Sequence, residues 1–218
     1  PSDTALMHRQ NVKGFVTGTG NPITLNVETE PGLGVFYKAE TADIIPIANM
    51  VRIPSGTFAM GSPVGEKDRD LDEDPITEVT LVSGFWMGKY EVTQREFERV
   101  MGNNPSFFKD EAFRPVESVN WKEAVSFCST LTAMEQAGGR LPAGYVYRLP
   151  TEAEFEYACR AGTATRFSHG DDLVYEQLEQ FAWFDKNSGG ASQPVGQKKP
   201  NRFGLHDMHG NIWEWCLD

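Results

Sequence analysis

The chain is poor in cysteine, in positive charge and in long apolar runs. Its three cysteines, Cys128, Cys159 and Cys216, stand far apart with no C-x-x-C pair, which excludes the ligand spacing of a structural zinc site. An odd count fits either reduced thiols in a reducing compartment or disulfides to cysteines elsewhere. Lys and Arg number 20 against 31 Asp and Glu, a formal net charge of -11. Nucleic acid and anionic membrane surfaces are therefore poor partners, since both demand clustered cations. A basic peptide or a metal cation suits the chain better. No apolar run reaches the roughly 18 residues of a membrane span. The opening Pro1-Ser2-Asp3 has neither an initiator Met nor the charged-then-apolar pattern of a secretion signal, so both ends are expected to be cut ends, with any targeting signal lost.

What is present describes a folded protein. Apolar residues make up 39 % and charged residues 23 % of 218, enough for a sizeable core in one large domain, or in a medium domain with an appendage. Residues 1–46 read as the end of a small β-rich module or linker, with short strands at Ile23 to Val27 and Gly34 to Lys38 between Gly and Pro. A second domain is expected over 47–218. It opens on a strand, tight turn and strand from Val51 to Ser62, and further strands are expected within Glu78 to Tyr90 and at Tyr145 to Arg148.

Three helices have a stated start. Thr93 with Glu96 is a capping box flanked by Val92 and Phe97 at the staple positions, which predicts a helix from Gln94 to Met101. Asn120 with Glu123 repeats the device ahead of Trp121, Ala124, Val125, Cys128 and Leu131 on one face. Thr151 with Glu154 does so again, before Phe155, Ala158 and Cys159 and a stop at Gly162. Cys128 and Cys159 thus point inward.

Two polar stretches call for a reading. Gly65 to Pro75 holds Glu66, Asp68, Asp70, Asp72, Glu73 and Asp74 against Lys67 and Arg69. The Asp68, Asp70 and Asp72 spacing imitates the opening of a calcium-binding loop, but Glu73 stands where that loop needs Gly and Val79 where it needs Glu, so the segment reads as a solvated acidic loop. His206 and His209 flank Asp207 without a third ligand at helical spacing, and His8 and His169 are isolated; all four read as surface or turn residues.

From Gly162 onward the chain is rich in Gly, Asn, Pro and Asp and has little periodicity. A compact domain rarely holds so long an irregular stretch unless it is functional or held by ligands such as cations. The stretch ends in Trp213-Glu214-Trp215, where two indoles want burial and the carboxylate between them needs backbone N–H groups, an Arg or a bound cation. On the residues alone, Glu214 as a turn cap or Arg partner and Asp207 as an Asx-turn former stand beside the cation reading.

Six ordered blocks carry a resemblance. They are Ile53 to Ser62, Lys89 to Thr93, Pro115 to Trp121, Arg148 to Tyr157, Pro194 to Gly196, and Asn201 to Trp215 with its F-G-L-H-D-M-H-G-N-I-W-E-W ending. Together the chain resembles the formylglycine-generating enzyme, or sulfatase-modifying factor, domain family. The resemblance implies an α+β, C-type-lectin-like fold with little regular secondary structure and a structural calcium ion. By position the ion's ligands would be the side chains of Asp207 and Glu214 and the carbonyls of Gly210 and Ile212, an all-oxygen set of the kind calcium takes. By the same resemblance a second family calcium site is not expected, because Trp183 would stand in the place of its Asn, with Asp185 and Asn187 as the weaker substitutes.

The family's activity is oxidation of a sulfatase cysteine to formylglycine with copper(I) held by two cysteines, soft ligands for a soft ion. Those two lie after the Trp-Glu-Trp block in the family, so the catalytic segment is expected to be missing here and none of the catalytic residues is named. Cys128 and Cys159 occupy positions that form structural disulfides in secreted relatives. The implied partner is a sulfatase-like protein or peptide, and the implied location secreted or exported from a bacterium. Two other readings share the resemblance: a non-catalytic, lectin-like binding module, and a sulfoxide synthase of the ergothioneine type, which would need a His-rich helical domain that does not precede Asn49.

Overall fold

All three helices start where their capping pairs stand. In the computed structural model, which describes the backbone of residues 15–18 and residues 49–218, α1 (Gln94–Met101), α2 (Trp121–Ala137) and α3 (Glu152–Arg160) each show the reciprocal box. Thr93 N–H donates to Glu96 at 2.9 Å, Asn120 N–H to Glu123 at 2.8 Å and Thr151 N–H to Glu154 at 2.9 Å. Local chemistry of this kind needs nothing from the rest of the fold. The third helix ends at Arg160, two residues ahead of Gly162, because Ala161 takes the left-handed conformation itself, with φ 49°.

Six strands are described: β1 (Phe15–Gly18), β2 (Met50–Ile53), β3 (Gly56–Met60), β4 (Thr77–Leu81), β5 (Phe85–Gly88) and β6 (Tyr145–Arg148). Four form an antiparallel sheet in the order β2-β5-β1-β6, with Ile53 opposite Phe85 and Val16 opposite Tyr147. The strand, turn and strand read at Val51 to Ser62 do not pair with each other. Pro54, which has no N–H for a ladder, separates them; β2 joins the main sheet while β3 pairs with β4 as a separate ribbon. Strand β1 lies within the stretch read as the end of a separate module. The strands expected at 23–27 and 34–38, and His8, lie outside the described residues.

Two apolar cores follow from this layout. Val92, Phe97, Val116, Phe127, Cys128, Leu131 and Leu149 fill one, between α1, α2 and the sheet. Ile53, Phe85, Met87, Phe155, Ala158, Cys159, Leu205, Met208 and Cys216 fill the other, under α3. The segment from Leu205 to Cys216 spans both, because Trp215 packs on the first core while Leu205, Met208 and Cys216 belong to the second. Trp215 Nε1–H donates to the Val119 carbonyl at 2.8 Å and Trp121 Nε1–H to the Cys216 carbonyl at 2.9 Å. Trp213 departs from the expectation of burial and is 45 % exposed; three consecutive side chains cannot all face inward, and Glu214 does.

His169 lies in a turn, as read, but its side chain is not on the surface. A small third core sandwiches the His169 ring between Phe167, at 5.2 Å and 8°, and Phe181, at 4.4 Å and 3°, and leaves its side chain 4 % exposed. Burial holds His169 below its ordinary value of 6.5, against the opposing pull of Asp172 at 3.5 Å. The unfolded chain thus takes up a proton near 6.5 that the fold refuses until lower pH. Stability is complete above that value and falls as pH drops through it toward the lowered folded pKa. Urea midpoints at about pH 7.5 and about pH 5.5 should therefore differ, and His169→Phe, which keeps the ring stack, should reduce the difference. An equal slope in the variant would assign the pH dependence to other groups.

Candidate functional site

The block from Asn201 to Trp215 is irregular but closely held. Asp207, 1 % exposed and left-handed with φ 57°, accepts the Gly196 N–H at 2.6 Å. Asn211, also left-handed at φ 83°, donates its N–H to the Trp183 carbonyl at 2.8 Å. Its side chain accepts the Gln193 N–H at 2.7 Å and donates to Glu91 Oε2 at 2.9 Å. Gly210 is required by close approach, since an added Cβ would lie 2.3 Å from the Trp183 carbonyl oxygen. Trp183 thus serves the terminal block through its backbone.

Of the four residues expected to hold calcium, Asp207 and Glu214 have buried carboxylates, 1 % and 4 % exposed, while Gly210 and Ile212 are half-buried. Buried charge is costly unless compensated, and oxygen donors on irregular backbone are what calcium accepts. The donor set fits the ion. Among the described residues no three His, Cys, Asp or Glu side chains are grouped to share a metal, so such a site would need the backbone carbonyls. Glu91, 1 % exposed and tied to the block through Asn211, is a third buried carboxylate. Sequence reading gave it no role, although it sits two residues ahead of the Thr93 cap of α1.

Copper(I) does not fit this chain's own cysteines. All three are buried, Cys128 in the first core and Cys159 and Cys216 in the second. Burial pushes the Cys128 thiol up to about 12, which keeps it from the thiolate form a metal requires.

A cleft of about 480 Å³ opens between the acidic loop and α3. Eight carboxylates line it, Glu66, Asp68, Asp70, Asp72, Glu73 and Asp74 from the loop and Glu152 and Glu156 from the helix, against the cations Lys67, Arg160 and Arg166. The loop is more ordered than its solvated reading implies. Asp70 and Glu73 cap a single turn over Leu71–Glu73. Asp68 accepts hydrogen bonds from Tyr175 and Arg166 and, chiefly through the Tyr175 hydroxyl, is held below the usual carboxylate range. Glu66 is pushed upward, first by burial and then by the charge of Glu73.

The same cleft is lined by Cys159, Ser168 and His209. His209 Nε2 lies 2.8 Å from Ser168 Oγ and accepts the Ser168 N–H at 3.1 Å, and its Nδ1 lies 3.5 Å from Cys159 Sγ. Sequence reading missed this trio because three distant segments supply it. The terminal block delivers His209 two residues after Asp207, so one short stretch serves both the expected ion site and the cleft.

Comparison with known proteins identifies the family and the fold. A family model described as "Sulfatase-modifying factor enzyme 1-like domain" matches residues 35–218. The chain is 34 % identical over 190 residues to the chaperone protein LppX of Paenibacillus barcinonensis, covering 64 % of each. It is 28 % identical over 235 residues to the formylglycine-generating enzyme of Mus musculus, covering 80 % of this chain and 59 % of that one. The chain therefore spans about three fifths of these relatives, 64 % and 59 % of their lengths. Among solved structures, Treponema denticola variable protein 1 superposes with a TM-score of 0.63 at 30 % identity over 78 % of this chain and 72 % of that one. PvdO from Pseudomonas aeruginosa does so with 0.66 at 26 % identity over 83 % and 76 %. The chain belongs to the sulfatase-modifying factor family and has its α+β, formylglycine-generating-enzyme-type fold.

Proposed function

We propose that this chain is a calcium-organised, protein-binding domain of an exported protein, and that its acidic cleft receives a basic segment of a protein partner. The observation that carries the reading is the cleft's excess of carboxylates, eight against three cations, in about 480 Å³. Such a field concentrates cationic ligands and penalises anionic ones. Calcium bound at Asp207, Gly210, Ile212 and Glu214 would cross-link the irregular block by supplying positive charge to its oxygens. No described helix is long and apolar enough to cross a membrane.

Oxidation of a sulfatase cysteine, the activity implied by the resemblance, needs a thiolate pair other than the three buried cysteines of this chain. The binding reading needs none. It is also supported by the breadth of names among relatives, a chaperone, serine/threonine-protein kinases of Chlamydia and a variable protein among them.

Fluorescence anisotropy with a Lys/Arg-rich peptide and an Asp/Glu-rich counterpart tests the reading. The basic peptide should bind, more weakly as salt rises, and Asp72→Asn with Asp74→Asn should weaken it about tenfold. Equal binding of the acidic peptide would overturn it. A Cys-x-Pro-x-Arg peptide incubated with the chain, copper(I) and oxygen should be recovered with its cysteine intact by mass spectrometry; conversion to formylglycine would restore the oxidase reading.

A further inference from the structure

The geometry points to Cys159 as a thiol-exchange site, which takes small cationic disulfides from the acidic cleft with His209 as its hydrogen-bond donor. The argument begins with the tautomer of His209. A backbone amide can only donate, so the Ser168 N–H on Nε2, at 3.1 Å, fixes the lone pair there. The proton of the neutral ring is therefore on Nδ1, and Nδ1 faces Cys159 Sγ at 3.5 Å. The ring is thus a donor to sulfur rather than a base that removes its proton. Such a bond strengthens as the sulfur acquires negative charge. A contact of the thiol with the Met208 carbonyl at 3.5 Å uses the S–H.

Exposure alone does not single out this cysteine. Cys128, Cys159 and Cys216 are 2 %, 5 % and 7 % exposed, yet among them Cys159 alone lines the cleft, where it meets the His209 imidazole. In the exchange, Cys159 Sγ attacks one sulfur of the incoming disulfide and that S–S bond breaks. One half remains on Cys159 as a mixed disulfide. The other leaves as a thiol, carrying the proton that Cys159 gives up, with no net oxidation. The carboxylates of the cleft set the preferred charge of the reagent, because a cation gains and an anion loses on entering it.

The test uses the intact chain and needs no mutant in its first arm. Cystamine, dicationic, and dithiodiglycolate, dianionic, are compared at equal concentration and low salt, with modification of each cysteine followed by peptide mapping. Cys159 should react with cystamine about tenfold faster than Cys216 and about tenfold faster than with dithiodiglycolate, and the second ratio should shrink as salt rises. His209→Ala should slow Cys159 about tenfold while leaving Cys128 and Cys216 unchanged. Loss of the fold would instead accelerate all three, so the arms remain separable. Cys159 reacting no faster than Cys216, equal rates for the two reagents, or an unchanged Cys159 rate in His209→Ala would each overturn the inference.

Discussion

Adding a calcium chelator is expected to lower the melting temperature of this chain by about 10 °C relative to saturating calcium. An ion that binds only the folded state stabilises it by mass action, by about 4 kcal/mol at a thousandfold excess over its dissociation constant, and in a chain of this size each kcal/mol shifts melting by about 2–4 °C. The expectation rests on two carboxylates inside the fold, Asp207 and Glu214, at 1 % and 4 % exposure. Glu214→Gln makes the test specific. The variant loses a hard anionic ligand and also the need to compensate a buried charge. It should melt at or above the chelated parent and ignore calcium. Differential scanning calorimetry of both proteins in calcium and in chelator reads this directly. An identical melting temperature of the parent in the two buffers would remove calcium from the site.

The contrast between what could and could not be foreseen is physical. Thr93, Asn120 and Thr151 each mark a helix start because the partner Glu is three residues away, inside the same turn. The strand at Tyr145–Arg148 and the inward direction of Cys128 and Cys159 were likewise legible from local periodicity. The terminal block announced itself by composition, since Gly210, Asn211 and a Glu between two Trp are hard to place in a solvated turn.

The rest depends on contacts across long stretches of chain. His169 is buried by Phe181, and His209 meets Ser168 and Cys159 across 41 and 50 residues. No spacing rule connects such positions, so both histidines were legible as turn residues, but their partners were not. The acidic loop was visible as charge, but its role as one wall of a cleft depends on α3 and on Arg166, which reaches Asp68 across 98 residues. The strand, turn and strand at Val51 to Ser62 were legible as elements, but not their pairing, because the partners of both strands lie beyond residue 76.

Phe127→Ala is expected to cost about 3–5 kcal/mol, the range for emptying a fully buried aromatic position. Phe127 is 0 % exposed and its ring stacks on Phe97 at 5.4 Å and 9°, so the loss removes a ring contact between α1 and α2 as well as core volume. Phe127→Leu keeps most of that volume and should recover most of the stability. The more informative readout is the effect on calcium. Asp207 sits between Leu205 and Met208, which belong to the second core, whereas Glu214 precedes Trp215, which packs on the first. The Asp207 end is therefore held by the second core alone, whereas the Glu214 end is held by both, through Trp215 on the first and Cys216 in the second. Loosening the first should leave Asp207 in place and weaken the hold on the Glu214 end, so the calcium-dependent rise in melting temperature should be smaller in Phe127→Ala than in the parent. Coupling through shared packing of this kind amounts to about 0.5–3 kcal/mol. A calcium shift of unchanged size in the variant would show that the second core holds the block alone, and that Trp215 covers the first core without positioning Glu214.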